Sequence, residues 1–385
     1  MTACKHSPDA FENVYIHVPF CSGTCIYCNF YSARFHADNA DRYLDALALE
    51  IKSATSAWPA RPAPVTLYMG GGTPSLLTAA QWERLATILN NTLDFSQLTE
   101  WTVEANPGTL SNVPRWLQLG VTRISLGVQS MKDATLKRIG RRHTAEDTRA
   151  TVKRLRKEGV KHIGLDLIAG LPGVTDAEWD QTLEETLALA PDHISVYACS
   201  IEAGSELASM VESGAVLPVN DDSMDAALLA ADERLAAHGF EHYEISNFAR
   251  PGARCRHNVN IWKGADYIGF GPAAASRSGR QRWINHADLD AYCKGSPEPP
   301  CDRETLSEET DVTERLVFNF RLSDPFSLDE FVAKRRSIAP PWVSAWQGKL
   351  ATLARDGLLR LEPSGWCCTE RGRRLADMIA ETLLP

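Results

Sequence analysis

Between residues 14 and 198, six short apolar runs rich in β-branched residues alternate with amphipathic stretches, and this alternation constrains the fold more than any other feature of the chain. The runs lie at 14–18, 65–69, 101–105, 123–128, 162–168 and 193–198, each the length of a buried strand. Between the first two, Leu44, Leu47, Ala48 and Ile51 are spaced for one face of a helix. Thr78-Ala-Ala-Gln81 and Thr175-Asp-Ala-Glu178 are capping-box starts for two more helices. Six strand–helix units in succession predict an α/β fold on a parallel sheet with right-handed crossovers. Pattern alone does not separate six units from eight.

After Leu207 the alternation stops. Residues 221–238 read as a helix, 242–248 and 267–270 as short strands, and from about 306 the chain reads as three helices, a hairpin over 358–368 and a last helix. The predicted organisation is a barrel-type domain over 1–207, a connecting region over 208–305 and a winged-helix-like domain over 306–385.

With 44% hydrophobic residues the chain can bury a substantial core, and a net charge of −9 argues against a protein that depends on phosphate contacts, so no nucleic-acid partner is expected. No apolar run reaches roughly 18 residues and no charged-then-apolar leader precedes Tyr15, so a cytoplasmic protein is expected.

Cys21, Cys25 and Cys28 form a Cys-x3-Cys-x2-Cys run within Tyr15-Ile-His-Val-Pro-Phe-Cys-Ser-Gly-Thr-Cys-Ile-Tyr-Cys-Asn-Phe30. Three thiolates without a nearby fourth suit a 4Fe-4S cluster with one iron open to a small molecule. A structural zinc site would need a closed set of four ligands. The remaining cysteines, at 4, 199, 255, 293, 301, 367 and 368, read mostly as packing residues.

This string resembles the radical S-adenosylmethionine (SAM) superfamily, and its Tyr15-Ile-His-Val-Pro-Phe lead-in resembles the coproporphyrinogen dehydrogenase and heme chaperone (HemW) branch. The resemblance implies a partial (β/α)6 barrel, with the methionine part of SAM on the open iron and reductive cleavage to a 5'-deoxyadenosyl radical, chemistry that belongs to the cofactor.

Further motifs follow in order. Met69-Gly-Gly-Gly-Thr-Pro74 follows a strand and precedes a capped helix, and glycines there let backbone approach a ligand closely. By resemblance, Gly71, Gly72 and Thr73 bind the SAM amino group. Glu104 ends the third strand, where a carboxylate can accept from ribose hydroxyls or an ammonium. Gln129 ends the fourth strand, and Gly140-Arg-Arg-His143 follows a helix; the resemblance gives Gln129 and Arg141 to SAM, with Arg141 suited to its carboxylate. Asp166, an acid inside an apolar strand, needs a partner; the resemblance places it in the ribose or adenine pocket, with Gly170, Leu171 and Pro172 as the adenine wall. Tyr15 and Tyr27 match aromatic positions around the cofactor.

Within the branch, the dehydrogenases carry a further cysteine two places after the third ligand, where this chain has Phe30. That difference points to a heme chaperone, which would pass heme to an acceptor protein and meet a membrane only through that acceptor. Cys255-Arg-His-Asn-Val-Asn-Ile-Trp262 resembles the chaperones' heme-associated signature, with His257 as a candidate axial ligand and Cys255 as an alternative thiolate. Ile261 and Ala275 depart from it, standing where Tyr and His are expected. A coproporphyrinogen III oxidase, or another radical enzyme acting on a porphyrin, is the alternative.

Overall fold

The computed structural model describes residues 8–56, 58, 60–110, 112–335 and 338–384; Cys4 lies outside them. Six parallel strands stand side by side in chain order: β1 (Asn13–Val18), β2 (Thr66–Gly71), β3 (Glu100–Ala105), β4 (Arg123–Gln129), β5 (His162–Ala169) and β6 (His193–Ala198). All six expected strands are present, within two residues at each end. Long helices connect them, among them Ala37–Thr55, Ala79–Thr92, Ala145–Glu158 and Asp176–Ala188. The chain thus forms a partial (β/α)6 barrel.

Both expected capping boxes are made, and a third occurs at Thr144, whose hydroxyl accepts from the Asp147 amide while Asp147 accepts from the Thr144 amide. The third pairs Thr with Asp, a shorter side chain than the Glu or Gln that marks the motif in sequence.

The sheet continues past residue 207. Residues 242–248, expected as one strand, make a hairpin of β7 (Glu241–Glu244) and β8 (Asn247–Ala249), because the chain turns back at Ile245 and Ser246. β8 pairs antiparallel with β6, and β9 (Ile268–Phe270) pairs parallel with β1 at the other edge. Both edges of the six-stranded core are therefore capped by the segment expected to be a connection, which shields their backbone groups. Glu50, buried in the first helix, ties this segment down: it accepts from the Gly271 amide, Asn285 and Tyr292. A small antiparallel sheet of Ala275–Ser278, Gln281–Asn285 and Cys301–Thr305 follows.

The carboxyl-terminal part has its own core around Leu316, Phe320, Trp346, Leu350 and Leu383. Helices Glu308–Asn319, Leu328–Ala333 and Pro340–Arg355 precede a hairpin of Leu359–Glu362 and Gly365–Cys368, and the last helix is split into Glu370–Arg374 and Ala376–Leu383. Arg254 pairs with Asp324 at 2.8 Å and Arg374 with Asp225 at 2.5 Å, joining this helical domain to the barrel side.

Candidate functional site

The carboxyl ends of β2 to β6 and the loop after β1 enclose a cavity of about 530 Å³. Cys21, Cys25, Tyr27, Cys28, Gly71, Gly72, Thr73, Glu104, Gln129, Arg141 and Asp166, far apart in sequence, all line it. Tyr15 stands behind the lining, its hydroxyl 3.1 Å from His17 Nδ1, and Gly170, Leu171 and Pro172 also lie outside it; Ile168 takes the expected place of an apolar wall.

The three thiols sit on the loop after β1, all partly exposed to the cavity. Cys21 Sγ is 3.6 Å from the Thr73 hydroxyl, and Arg141 donates through Nη1 to Cys25 Sγ at 3.7 Å. Burial, with the neighbouring thiols adding, pushes the Cys28 thiol up; coordination to iron would reverse this, since thiolate is the ligand form. Among the described residues no three His, Cys, Asp or Glu side chains are grouped to hold a single ion. Three thiols along one wall with polar donors behind them fit a cluster spread over several metal centres.

The glycine turn works differently from what its sequence implies. The Gly71 amide donates to Glu104 Oε2 at 3.1 Å, the Gly72 amide to the Val18 carbonyl at 3.0 Å and the Thr73 amide to the Phe20 carbonyl at 2.6 Å. These N–H groups are spent on the protein, so an ammonium, itself a donor, would be met by carbonyl oxygens. The missing side chains matter for internal packing: a Cβ at Gly70 would lie 2.5 Å from the Glu104 carboxyl carbon, and one at Gly72 would lie 2.5 Å from the Val18 carbonyl oxygen.

Glu104 takes the Tyr68 hydroxyl on Oε1 at 2.8 Å. Burial, with Asp166 adding like charge, raises its pKa to about 7. Asp166 accepts from the Ser125 hydroxyl at 3.1 Å, and burial raises it to about 6. Two desolvated carboxylates facing one cavity call for a cation. SAM carries two, an ammonium and a sulfonium. Gln129 adds an acceptor: its Oε1 is buried without a partner, and its backbone is held at φ 67°, a strained conformation for a side-chain-bearing residue. These residues fit SAM.

Arg141 is braced by Asn106 Oδ1 and the Gly127 carbonyl. Asn106 also donates to the Thr73 hydroxyl at 3.1 Å, joining the glycine turn to Arg141. Sequence reasoning passed over Asn106 and Ser125; a polar residue closing a buried strand was the available signal for Asn106. Arg142 is exposed with its guanidinium over Gly23. His143 is buried against the Val128 carbonyl, with burial and then the Arg141 charge lowering its pKa to about 4.

His257 lies at the other end of the barrel, on the short helix Arg256–Trp262 beneath β2 and β3. Its amide donates to Glu100 Oε1 at 3.0 Å, Nδ1 is 2.9 Å from the Thr66 hydroxyl, and its ring lies 5.2 Å from that of Tyr68. Burial lowers its pKa to about 4. Cys255 is buried 3.4 Å from Glu100, and burial raises its thiol strongly. Ile261 is partly buried on the same helix, and Ala275 begins the small sheet.

Residues 15–186 match the family described as the radical SAM superfamily, and 306–375 match the HemN C-terminal domain. Among curated proteins, the Heme chaperone HemW of Mycobacterium tuberculosis is 36% identical over 384 residues, covering 96% of this chain and 94% of that protein. The Lactococcus lactis protein of the same name is 35% identical, covering 97% of each, and that of Bacillus subtilis 32%, covering 96% and 98%. Among solved structures, Escherichia coli coproporphyrinogen III oxidase (HemN), a radical SAM enzyme, superposes with a TM-score of 0.85 at 24% identity, over 98% of this chain and 91% of that one, a likeness of fold.

Proposed function

The chain belongs to the radical SAM superfamily and, within it, to the family of the curated heme chaperones, and from that premise we propose that it carries heme to an acceptor protein. Membership implies a 4Fe-4S cluster and SAM. Cys21, Cys25 and Cys28 would hold the cluster, and Glu104, Gln129, Arg141 and Asp166, with carbonyls of the Gly71–Thr73 turn, would hold SAM. When bound, the pair supplies one-electron chemistry at the open iron. The protein's own part is to place two carboxylates against SAM's positive charges and to brace the cluster loop through Arg141.

The observation that carries the heme assignment is the near-full-length likeness to the curated heme chaperones, and the hydrogen bonding of His257 is consistent with it. Thr66 gives its proton to Asn13 Oδ1 at 3.1 Å, and Asn13 Oδ1 also accepts from Asn260 at 2.8 Å. A Thr66 hydroxyl that donates to Asn13 Oδ1 accepts from His257 Nδ1–H, 2.9 Å away, the arrangement that puts the imidazole lone pair on Nε2. A neutral imidazole of fixed tautomer is what heme iron requires. Ligation would need the short helix Arg256–Trp262 to swing from the barrel floor.

Three reduced thiols suit a cytoplasmic setting. The heme acceptor is a protein, and any membrane contact would come through it.

The test is a heme titration of the anaerobically reconstituted protein with His257→Ala alongside. A saturable absorption change near one heme per chain, lost in the variant, supports the reading. Absence of binding removes it, and turnover of coproporphyrinogen III would then favour the oxidase.

A further inference from the structure

Tyr68 sits between the two ends of the barrel. From the middle of β2 its hydroxyl reaches up to Glu104 Oε1 at 2.8 Å, while its ring lies against the His257 imidazole, centroids 5.2 Å apart and planes inclined by 34°. Glu104 has few alternatives: its other oxygen is taken by the Gly71 amide, and it is buried near Asp166. The Tyr68 phenol, itself held protonated by burial and by the Glu104 charge, stays a donor throughout the neutral range. One side chain therefore sets the carboxylate that faces the cofactor cavity and rests on the helix that carries His257.

We propose that Tyr68 is a positioning residue that orients Glu104 toward SAM and conveys to it the placement of the His257-bearing helix. The contact is short and made of stiff parts. An aromatic ring on a central strand has little freedom except to tilt, and a tilt large enough to follow the imidazole lengthens a charge-assisted hydrogen bond of about 2.8 Å. Whatever moves His257 off the barrel floor then alters the site at the opposite end. The inference rests on the SAM part of the proposed function and not on heme.

The experiment is SAM binding to the reconstituted, heme-free protein, by equilibrium dialysis with iron content determined in parallel. Tyr68→Phe, which keeps the ring and removes the donor, is expected to weaken SAM binding about tenfold at unchanged iron content. His257→Ala removes the ring's support and is expected to weaken it by about threefold, and the double variant to bind no worse than Tyr68→Phe, since coupled residues are not additive. His257→Gln keeps a hydrogen-bonding amide near Thr66 while losing the ring, so it reads the coupling should His257→Ala fail to fold.

A second readout is the pH dependence of SAM affinity. Glu104 shares its surroundings with Asp166 and with the phenols of Tyr15, Tyr68 and Tyr197. Loss of the Tyr68 donor should move the acid limb of SAM binding to higher pH, because the charged carboxylate loses a bond. Wild-type SAM affinity in both His257 variants, or effects that multiply in the double variant, would overturn the coupling. An unmoved acid limb in Tyr68→Phe would overturn the positioning role. Failure of the unaltered protein to bind SAM would instead count against the proposed function.

Discussion

The Arg141 guanidinium donates through Nη1 to the Cys25 sulfur at 3.7 Å, although 116 residues of chain separate them. The same group is bonded to Asn106 and to the Gly127 carbonyl, so it braces the cluster loop against the ends of β3 and β4. Charge-assisted contacts to a sulfur and two oxygens make it more than a hand for a carboxylate.

Arg141→Ala should accordingly do two things. SAM affinity is expected to fall at least about tenfold from the lost charged contacts, and the cluster to be lost faster on exposure to air. Lysine, a point charge without the planar fork, should restore little of either. Dialysis with labelled SAM and the decay of the cluster's visible absorption give the two numbers. Unchanged decay would confine Arg141 to the cofactor.

Replacing Cys21, Cys25 or Cys28 by Ala should abolish the brown absorption after anaerobic reconstitution, since two thiolates do not hold the cluster. Cys199 also lines the cavity, with burial raising its thiol to about 11. It packs with Ile139, Ile168 and Leu171 and lies outside the run that carries the three thiols, so Cys199→Ala should reconstitute normally. Iron and sulfide analysis of the four proteins separates the two behaviours.

Asp166 and Glu104 hold their protons to about 6 and about 7, above their ordinary 3.8 and 4.5, because both are buried. The folded, SAM-free chain therefore binds more protons than the unfolded chain across that interval. Its stability falls as pH rises through the interval, and is regained below the ordinary carboxylate range. SAM's positive charges favour the ionised carboxylates, so SAM affinity should rise over the same interval. The gain in melting temperature on adding SAM should thus widen between about pH 5 and pH 8. Glu104→Gln should flatten that trend; an equally steep trend in the variant would assign it elsewhere.

At Gly72 an added Cβ would meet the carbonyl oxygens of Val18 and Phe20 at 2.5 and 2.6 Å. These are backbone atoms, with no rotamer to escape to. Gly72→Ala is expected to cost about 1–3 kcal/mol and to lower the iron retained by pulling β2 away from the cluster loop. Gly348, exposed within the helix Pro340–Arg355, has nothing within 4 Å of such a Cβ. There the same substitution should stabilise by about 0.5–1 kcal/mol. Thermal melts and iron analysis of both variants are the check.

Much of the barrel was legible because its strands are buried on both faces and so read as apolar runs, and because Thr78 and Thr175 announce their helices through local hydrogen bonds. The Thr144 start was passed over because Asp in place of Glu weakens the pattern. The strands at 267–270 and 242–248 were read, but their place at the edges of the sheet was not: β8 and β9 are three residues each and owe their pairing to β6 and β1 rather than to any periodicity of their own.

The residue types of the site could be read from the sequence, because ligand chemistry demands particular atoms: thiols for iron, carboxylates for a cation, glycines where no Cβ fits. Some offsets were legible too, since Glu104 and Gln129 sit at the ends of strands whose lengths the apolar pattern marks. What only the tertiary structure decided is which groups meet. The engagement of the glycine-turn amides with the protein, the Arg141–Cys25 contact, and the burial of His257 at the opposite end beneath Tyr68 all depend on distances between elements that are remote in the chain. Those distances are set by how the strands pack and register, a cooperative property that no local stretch of sequence carries.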